Sequence, residues 1–330
     1  MKPVIAIGIC TRQRNALLRR LLESIWKQNF SYKYDLKVIV VDNNDAPTVT
    51  PHIVTPPEPQ TFEVFLVHEP NAGLANARNR VLDIATELNA QWLIGVDDDE
   101  WVAADWLSGY ITAFETLETS IIVGAQRTVY PDTLSPFVEK RQQEQLPAGA
   151  PSRVFSTANY ALHADVFHTK SGLGLRFDPA FNESGGEDFE FMLRAQHQHG
   201  IIPLNWPHAL AIEPYDGERT GFSYHLKRHL IDQITRYRVW EKHRKLGIRG
   251  TTLGNVRKRL RLTMRFAVLG LSGCLRGAAF LFVNREKAAV TFGIGLTNCM
   301  RAIAIFPYLF GASTGLYGRQ TNADRSIDVR

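Results

Sequence analysis

The chain has 330 residues, 45% of them hydrophobic, and three cysteines, Cys10, Cys274 and Cys299, far apart in sequence. That is core enough for one large domain or a domain with an appendage, and the odd, scattered cysteines exclude a disulfide-stapled fold and a Cys/His zinc module, implying a reducing compartment. The formal charge of +5 hides an asymmetry: thirteen Lys/Arg against two acids, Asp232 and Glu241, lie between Lys227 and Arg265, so the remainder carries −6.

The amino terminus opens into Val4-Ile5-Ala6-Ile7-Gly8-Ile9-Cys10, too short and too β-branched for a signal-peptide core, and it reads as the first strand of a cytosolic domain. The run ends in Thr11-Arg12-Gln13-Arg14-Asn15. Leu17, Leu18, Leu21, Leu22 and Ile25 then recur at helical spacing, predicting a helix over 16–28. A second strand over 36–41 ends at Asp42-Asn43-Asn44-Asp45, and the proline-rich 46–60 reads as a loop. A third strand, 62–67, runs into His68-Glu69-Pro70-Asn71-Ala72-Gly73, and a helix over 74–88 carries Arg78. Strands alternating with helices, with apolar runs buried on both sides, predict a parallel doubly wound α/β sheet.

The next run, Trp92-Leu93-Ile94-Gly95-Val96, stops at four acids, Asp97-Asp98-Asp99-Glu100. At the carboxyl end of a buried strand they lie where open α/β sheets bind ligands. Four adjacent carboxylates repel one another, and Mg²⁺ or Mn²⁺ bridging one or two of them to a diphosphate resolves that repulsion. A solvated acidic turn contains the same residues. Beyond it the pattern predicts a helix over 101–117, a strand over 120–126, a mobile lid over 131–152 and a strand over 154–162. Gly185-Gly186-Glu187-Asp188 then opens a helix running to about residue 199, with acids that would also suit ordinary capping.

These motifs, in this order, resemble the inverting glycosyltransferases of family 2, which have the GT-A fold, and more closely the bacterial succinoglycan-type exopolysaccharide enzymes. The matching residues are Thr11-Arg12, Val41-Asp42-Asn43, the run from Asn71 and Gly73 to Arg78-Asn79, Asp97-Asp98-Asp99, and Glu187-Asp188. The resemblance covers roughly residues 3–215. It implies that Asp42, Thr11 and Arg12 line the base pocket, that Asn71 and Gly73 shape the nucleotide loop, and that Arg78 reaches the diphosphate or the acids. It implies further that Asp97 and Asp99 hold ribose and metal, with Asp98 an alternative ligand, and that Asp188 is the general base, assisted by Glu187. His208, His225 and the Arg219 segment lie nearby; a lone His is more often structural, and a loop Arg is usually solvated.

The carboxyl-terminal third changes character. A basic amphipathic helix is predicted over 224–245 and a second basic stretch over 257–265. Apolar segments follow at 266–283, broken by Arg276, and at 288–312, broken by Asn298, Arg301 and Pro307. Charge inside these segments opposes a simple membrane span, so an interfacial or re-entrant helical pair is expected, with the basic band on anionic headgroups. A soluble helical hairpin is the alternative. The division expected is a catalytic domain over 1–222 and a membrane-associating helical extension over 223–330. The expected place is the cytoplasmic face of a bacterial inner membrane, with no signal peptide.

The function expected is metal-dependent, inverting transfer of a sugar from a nucleoside-diphosphate donor, UDP-linked, to a lipid-linked saccharide. A sugar nucleotidyltransferase uses a similar sheet but wants a Gly-rich phosphate loop after strand one, of which Gly8-Ile9-Cys10-Thr11-Arg12 is a poor version. A nucleic-acid site on the basic band, with Tyr237 and Trp240 for stacking, is the third reading, although no nucleic-acid partner is expected.

Overall fold

The computed structural model describes residues 2–29, 33–56, 63–140, 146–153 and 156–311. In chain order it begins with β1 (Val4–Thr11), α1 (Asn15–Trp26), β2 (Asp35–Asp42), α2 (Pro51–Val54), β3 (Glu63–His68), α3 (Leu74–Glu87) and β4 (Ala90–Val96). β1 lies between β2 and β4, and β3 flanks β2, all parallel. The register sets Thr11 opposite Asp42 and Asp42 opposite His68, so the polar strand ends share one edge. The predicted loop over 46–60 holds, in its described part, one helical turn, α2, started by Pro51, whose fixed φ suits the first helical position, and residues 57–60 lie outside the described residues.

After β4 come β5 (Trp101–Val102), α4 (Trp106–Thr116), β6 (Ile121–Val129), β7 (Asn159–His163), α5 (Ala164–Phe167), α6 (Glu187–His199) and β8 (Leu204–Pro214). The sheet order is β3-β2-β1-β4-β7-β6-β8-β5. β7 runs antiparallel to both β4 and β6, and β5 antiparallel to β8, while β6 and β8 are parallel. The sheet is therefore mixed, parallel through the half that carries the nucleotide-type motifs. The predicted helix over 101–117 starts later, because Trp101 and Val102 pair with Ile212 and Ala211. Of the strand predicted over 154–162, residues 154 and 155 lie outside the described residues, as do 62 in the third strand and 141–145 in the predicted lid.

Apolar cores fill both faces of the sheet. One gathers α1 and α4 under Ile5, Ile7, Trp92 and Trp106; the other gathers α3, α5 and α6 under Ile39, Leu93, Phe167 and Phe191. Residues 134–138, inside the predicted lid, are tied down: Ser135 N donates to Thr220 O, Val138 is buried, and the Phe137 carbonyl lies against Gly293.

Four helices close the described chain: α7 (Phe222–Lys245), α8 (Thr252–Phe280), α9 (Arg285–Ile303) and α10 (Ile305–Leu309). The basic stretch over 257–265 and the apolar segment after it are one helix, α8. It packs against α9 through glycines so closely that a Cβ on Gly273 would lie 2.8 Å from the Gly295 Cα. The outer side of α8 stays apolar and open, with Met264, Val268, Leu271 and Leu275 all more than 60% exposed. The stretch Arg285–Leu309 is long and apolar enough, at mean hydropathy 1.5, to cross a membrane by length and composition. The segment predicted over 288–312 ends at a residue outside the described ones, as do residues 312–330 of the expected extension.

Candidate active site

β4 delivers its acids at the shared edge, where the chain turns and sorts them by burial. Asp98 and Glu100 face inward, nearly fully buried, while Asp97 and Asp99 remain partly exposed. Thr11 Oγ1 donates to Asp98 Oδ2 (2.7 Å), and Arg14 Nη1 donates to Asp98 Oδ1 and Asp99 Oδ2, each at 3.1 Å. Arg219 Nη2 donates to the same Asp99 oxygen (2.9 Å) and its Nη1 to Glu213 Oε1 (2.6 Å). Arg20 Nη2 donates to the Asp99 carbonyl (2.6 Å), and Glu100 accepts from the Gln126 amide. Burial pushes the Asp98 carboxyl up to about 6 in spite of Arg14 and Thr11, and burial with repulsion from Asp97 holds Glu100 well above the usual carboxylate range.

Arg78, on α3, joins this edge to α6. Its Nη1 donates to Glu187 Oε1 (2.5 Å) and its Nη2 to Asp97 Oδ1 (3.3 Å), with the Phe177 ring 5.5 Å from the guanidinium carbon. Glu187 and Arg78 are both buried. A desolvated pair of this kind holds only because each charge satisfies the other.

α6 starts at Gly186, whose φ of 92° is left-handed and whose added Cβ would lie 2.1 Å from Thr235 Cγ2. Glycine suits both demands. Asp188, in the first turn, accepts from the Phe189 amide (2.6 Å). Burial, then repulsion from Glu187, pushes its carboxyl up to about 7, against the opposing field of Arg78. Two residues on, Glu190 shows the reverse. Burial would raise it, but hydrogen bonds from His243, Arg194 and Lys242 hold it at about 2. One helical turn thus carries a carboxyl poised near neutrality and one fixed as an anion.

The remaining predicted residues divide. Asp42 is buried and accepts from Asn44 N (3.1 Å), Asn44 Nδ2 (2.5 Å), Thr48 N (2.6 Å) and Val49 N (2.8 Å), which hold its carboxyl below the usual range against burial. A carboxylate offers about four acceptor positions, and Asp42 uses them here to organise its own loop. Arg12, expected at the base pocket, pairs with Asp45 (3.2 Å), and Gln13 between it and the inward-facing Arg14 has a positive φ. Asn71 is exposed and bonds Glu69. Gly73 sits at φ 135°, with its amide on Asn43 Oδ1 (2.9 Å) and no room for a Cβ beside Asn182. His225 bonds the Tyr215 hydroxyl (2.7 Å) and the Arg219 carbonyl (3.0 Å), a structural arrangement.

Thr11, Arg78, Asp97, Asp98, Asp99, Glu187 and Asp188 therefore form one chain of contacts or near neighbours, to which Arg14, Arg20 and Arg219 must be added. Arg14 and Arg20 carried no signal beyond their place in and after the first polar turn. Asn43, which ties Glu69 O, Asn71 O and Gly73 N, was visible only as part of a polar strand end.

Among the described residues no three His, Cys, Asp or Glu side chains are grouped to cage a metal ion. The donor set at Asp97 and Asp99, hard oxygens and partly open, fits Mg²⁺ or Mn²⁺ in the manner that takes one or two protein carboxylates and completes its shell from phosphates and water.

A mixed sheet whose parallel half ends in an acid cluster, faced by a helix that starts with acids, is a mixed α/β fold of GT-A type. Residues 6–172 match glycosyl transferase family 2, and the chain belongs to that family. The nucleotidyltransferase alternative loses its support with that assignment. The chain is 29% identical over 245 residues to a succinoglycan biosynthesis protein, ExoM, of Rhizobium meliloti (strain 1021), covering 73% of this chain and 74% of that one. In fold it resembles the mannosyltransferase PcManGT from Pyrobaculum calidifontis, solved with GDP-Man and Mn2+, at TM-score 0.55 and 16% identity over 94% of this chain and 88% of that one. It also resembles S. aureus TarS 1-349, at TM-score 0.50 and 15% identity over 94% and 92% of the two chains.

Proposed function

We propose that this glycosyltransferase moves a sugar, with inversion, from a UDP-linked donor to a lipid-linked saccharide in exopolysaccharide or cell-surface glycan synthesis. The observation that carries the reading is Asp188, a carboxyl pushed up to about 7 and joined through Glu187 and Arg78 to the acid edge. A general base works best with a pKa near the operating pH, and it must come within about 2.6–3.2 Å of the hydroxyl whose proton it takes. The acceptor oxygen bonds to the anomeric carbon as the nucleoside diphosphate leaves from the opposite face, and the acceptor proton passes to an Asp188 oxygen. Arg14 and Arg219, both on Asp99, are placed to turn onto the diphosphate as it binds. Asp99, with Asp97, would hold Mg²⁺ or Mn²⁺, which when bound neutralises charge on the departing diphosphate. Thr11 fixes Asp98, while Asn43 and Gly73 shape the nucleotide loop.

The basic band and the exposed apolar side of α8 support a seat on an anionic membrane surface, which suits an acceptor carried on lipid. Isothermal titration with UDP and with GDP, with and without Mn²⁺, on wild type and on Asp99→Ala, tests the donor site. Metal-dependent UDP binding that Asp99→Ala removes is the expected result. Tighter binding of GDP would replace the base assignment, and binding of neither nucleotide would end the reading.

A further inference from the structure

Away from the acid edge, a cavity of about 320 Å³ lies between α7, α8 and α9, within the range of about 300–1,000 Å³ usual for small-molecule sites. Its walls bring together three cations, Arg236, Lys258 and Arg301, with the rings of Trp240 and Phe266. The acid in its wall, Asp232, is already matched by Arg228 at 3.0 Å. Arg236 lies 4.9 Å over the Phe189 ring and Lys258 Nζ lies 3.7 Å over the Trp240 ring. Neither has a carboxylate partner among the described residues. Both are exposed; burial of part of the side chain, then repulsion from Arg249 and Arg236, lowers the pKa of Lys258, and an anion brought between them would offset that repulsion.

A second observation points the same way. Gln233, in the cavity wall and 3% exposed, keeps its amide nitrogen buried with no hydrogen-bond partner among the described residues. A buried donor left unpaired is costly, and a turn of this side chain toward Arg236 and Lys258, neither of which has a carboxylate partner among the described residues, would give it an oxyanion. The aromatic walls suit an apolar body attached to it. The place is also suggestive. Phe189, which Arg236 covers, directly follows Asp188, and Gly186 backs onto Thr235 of α7.

We propose that this cavity binds the phosphate or diphosphate of the lipid-linked acceptor, with the first carbons of the lipid against Trp240 and Phe266. The proposal rests on the transferase reading above and names the part of the acceptor that the chain grips. Arginine pairs a phosphate through its planar fork and lysine through a point charge. With the phosphate fixed behind the start of α6, the saccharide beyond it is led toward Asp188.

The test is isothermal titration of the full chain in neutral detergent micelles with farnesyl diphosphate, with inorganic pyrophosphate and with UDP, beside sedimentation with phosphatidylglycerol vesicles. It compares wild type, Arg236→Gln/Lys258→Gln and the charge-keeping Arg236→Lys/Lys258→Arg. We expect farnesyl diphosphate to bind wild type at least about tenfold more tightly than pyrophosphate, the Gln pair to lose about tenfold or more, and the charge-keeping pair to retain most of it. Unchanged farnesyl diphosphate binding in the Gln pair overturns the proposal. So does pyrophosphate binding as tightly as farnesyl diphosphate, which would make this a site for free anions. A loss seen only on phosphatidylglycerol vesicles, with farnesyl diphosphate unaffected, also overturns it and assigns the cations to the bilayer. Nucleotide binding is read separately: its absence from all three proteins, with the farnesyl diphosphate pattern intact, sinks the donor reading and leaves the cavity's ligand standing.

Discussion

The acid edge and the helical end of the chain carry opposite charge imbalances and resolve them differently. At the edge, the chain supplies its own counter-ions: Arg78 for Asp97, Arg14 for Asp98, and Arg14 with Arg219 for Asp99. In the helical end, Lys242, Arg244 and Arg259 find carboxylates, but Arg236 and Lys258 rest on aromatic rings and an apolar stripe faces outward. The first region is organised before any ligand arrives, with arginines that can exchange a carboxylate for a phosphate. In the second, Arg236 and Lys258 have no carboxylate partner, and the stripe on α8 has little apolar cover, among the described residues.

The largest effect expected from breaking this contrast falls on the edge side. Asp188→Asn should cut the transfer rate by about 10²–10⁴-fold while leaving nucleotide binding in place, measured as initial rates of labelled sugar transfer. A fall of less than tenfold would place the base elsewhere. Next comes the buried pair. Arg78→Met strands Glu187 without its cation and should cost about 3–5 kcal/mol of stability, read from urea unfolding. The same change at exposed Arg257 in the helical end should stay within about 0.5 kcal/mol. Equal losses at the two positions would contradict the division between an internally matched edge and an outward-facing band.

The contrast also explains what could be read in the sequence. Period and termination are legible: β1 to β4 follow from apolar runs that end in polar clusters, α1 from leucines at helical spacing, α6 from its Gly-Gly-acid start, and the acids of the edge from their place at the end of such a run. What was not legible depends on directions that a local pattern does not carry. Arg14, two residues past Arg12 and beyond the positive φ of Gln13, is the one that meets Asp98 and Asp99. Asp42 lies at the right edge but is consumed by amides of Thr48 and Val49, six and seven residues on. Trp101 and Val102 continue an apolar pattern that suits a helix, and only the distant β8 makes them a strand. The long helix α8 was divided at the change from basic to apolar residues, although composition changes there without any stop signal.

A pH comparison separates two carboxyls on the same helical turn. Asp188, pushed up to about 7, keeps in the folded chain a proton that an unfolded aspartate releases near its ordinary value of about 3.9. Between those values the folded state binds more protons, so this group's contribution falls as pH rises from about 4 to 7. Glu190, held at about 2, acts in the opposite sense. Its contribution is full above about pH 4.3 and is lost as pH falls toward 2. Urea unfolding at pH 5 and pH 7.5 should therefore show a decrease at the higher pH that shrinks by about 1 kcal/mol or more in Asp188→Asn. The transfer rate should run the other way, falling about tenfold per pH unit below 7, because the base must be deprotonated to act. Rates flat from pH 5 to 7.5 would remove Asp188 from that role.

The smallest effect is expected at the outer side of α8. A leucine fully buried from water contributes about 1.5–3 kcal/mol, and a side chain dipping into a bilayer surface realises only part of that. Leu271→Ser/Leu275→Ser should then weaken partition onto phosphatidylglycerol vesicles by about tenfold, equivalent to about 1.4 kcal/mol, in a sedimentation assay. Raising the salt should weaken wild type further, since each Lys or Arg near an anionic surface contributes about 1 kcal/mol that is screened within a Debye length. If both substitutions leave partition unchanged while salt abolishes it, the basic band alone makes the contact and the stripe packs against protein. If the substitutions act and salt does not, the apolar side is the anchor and the cations are released for the phosphate of the acceptor.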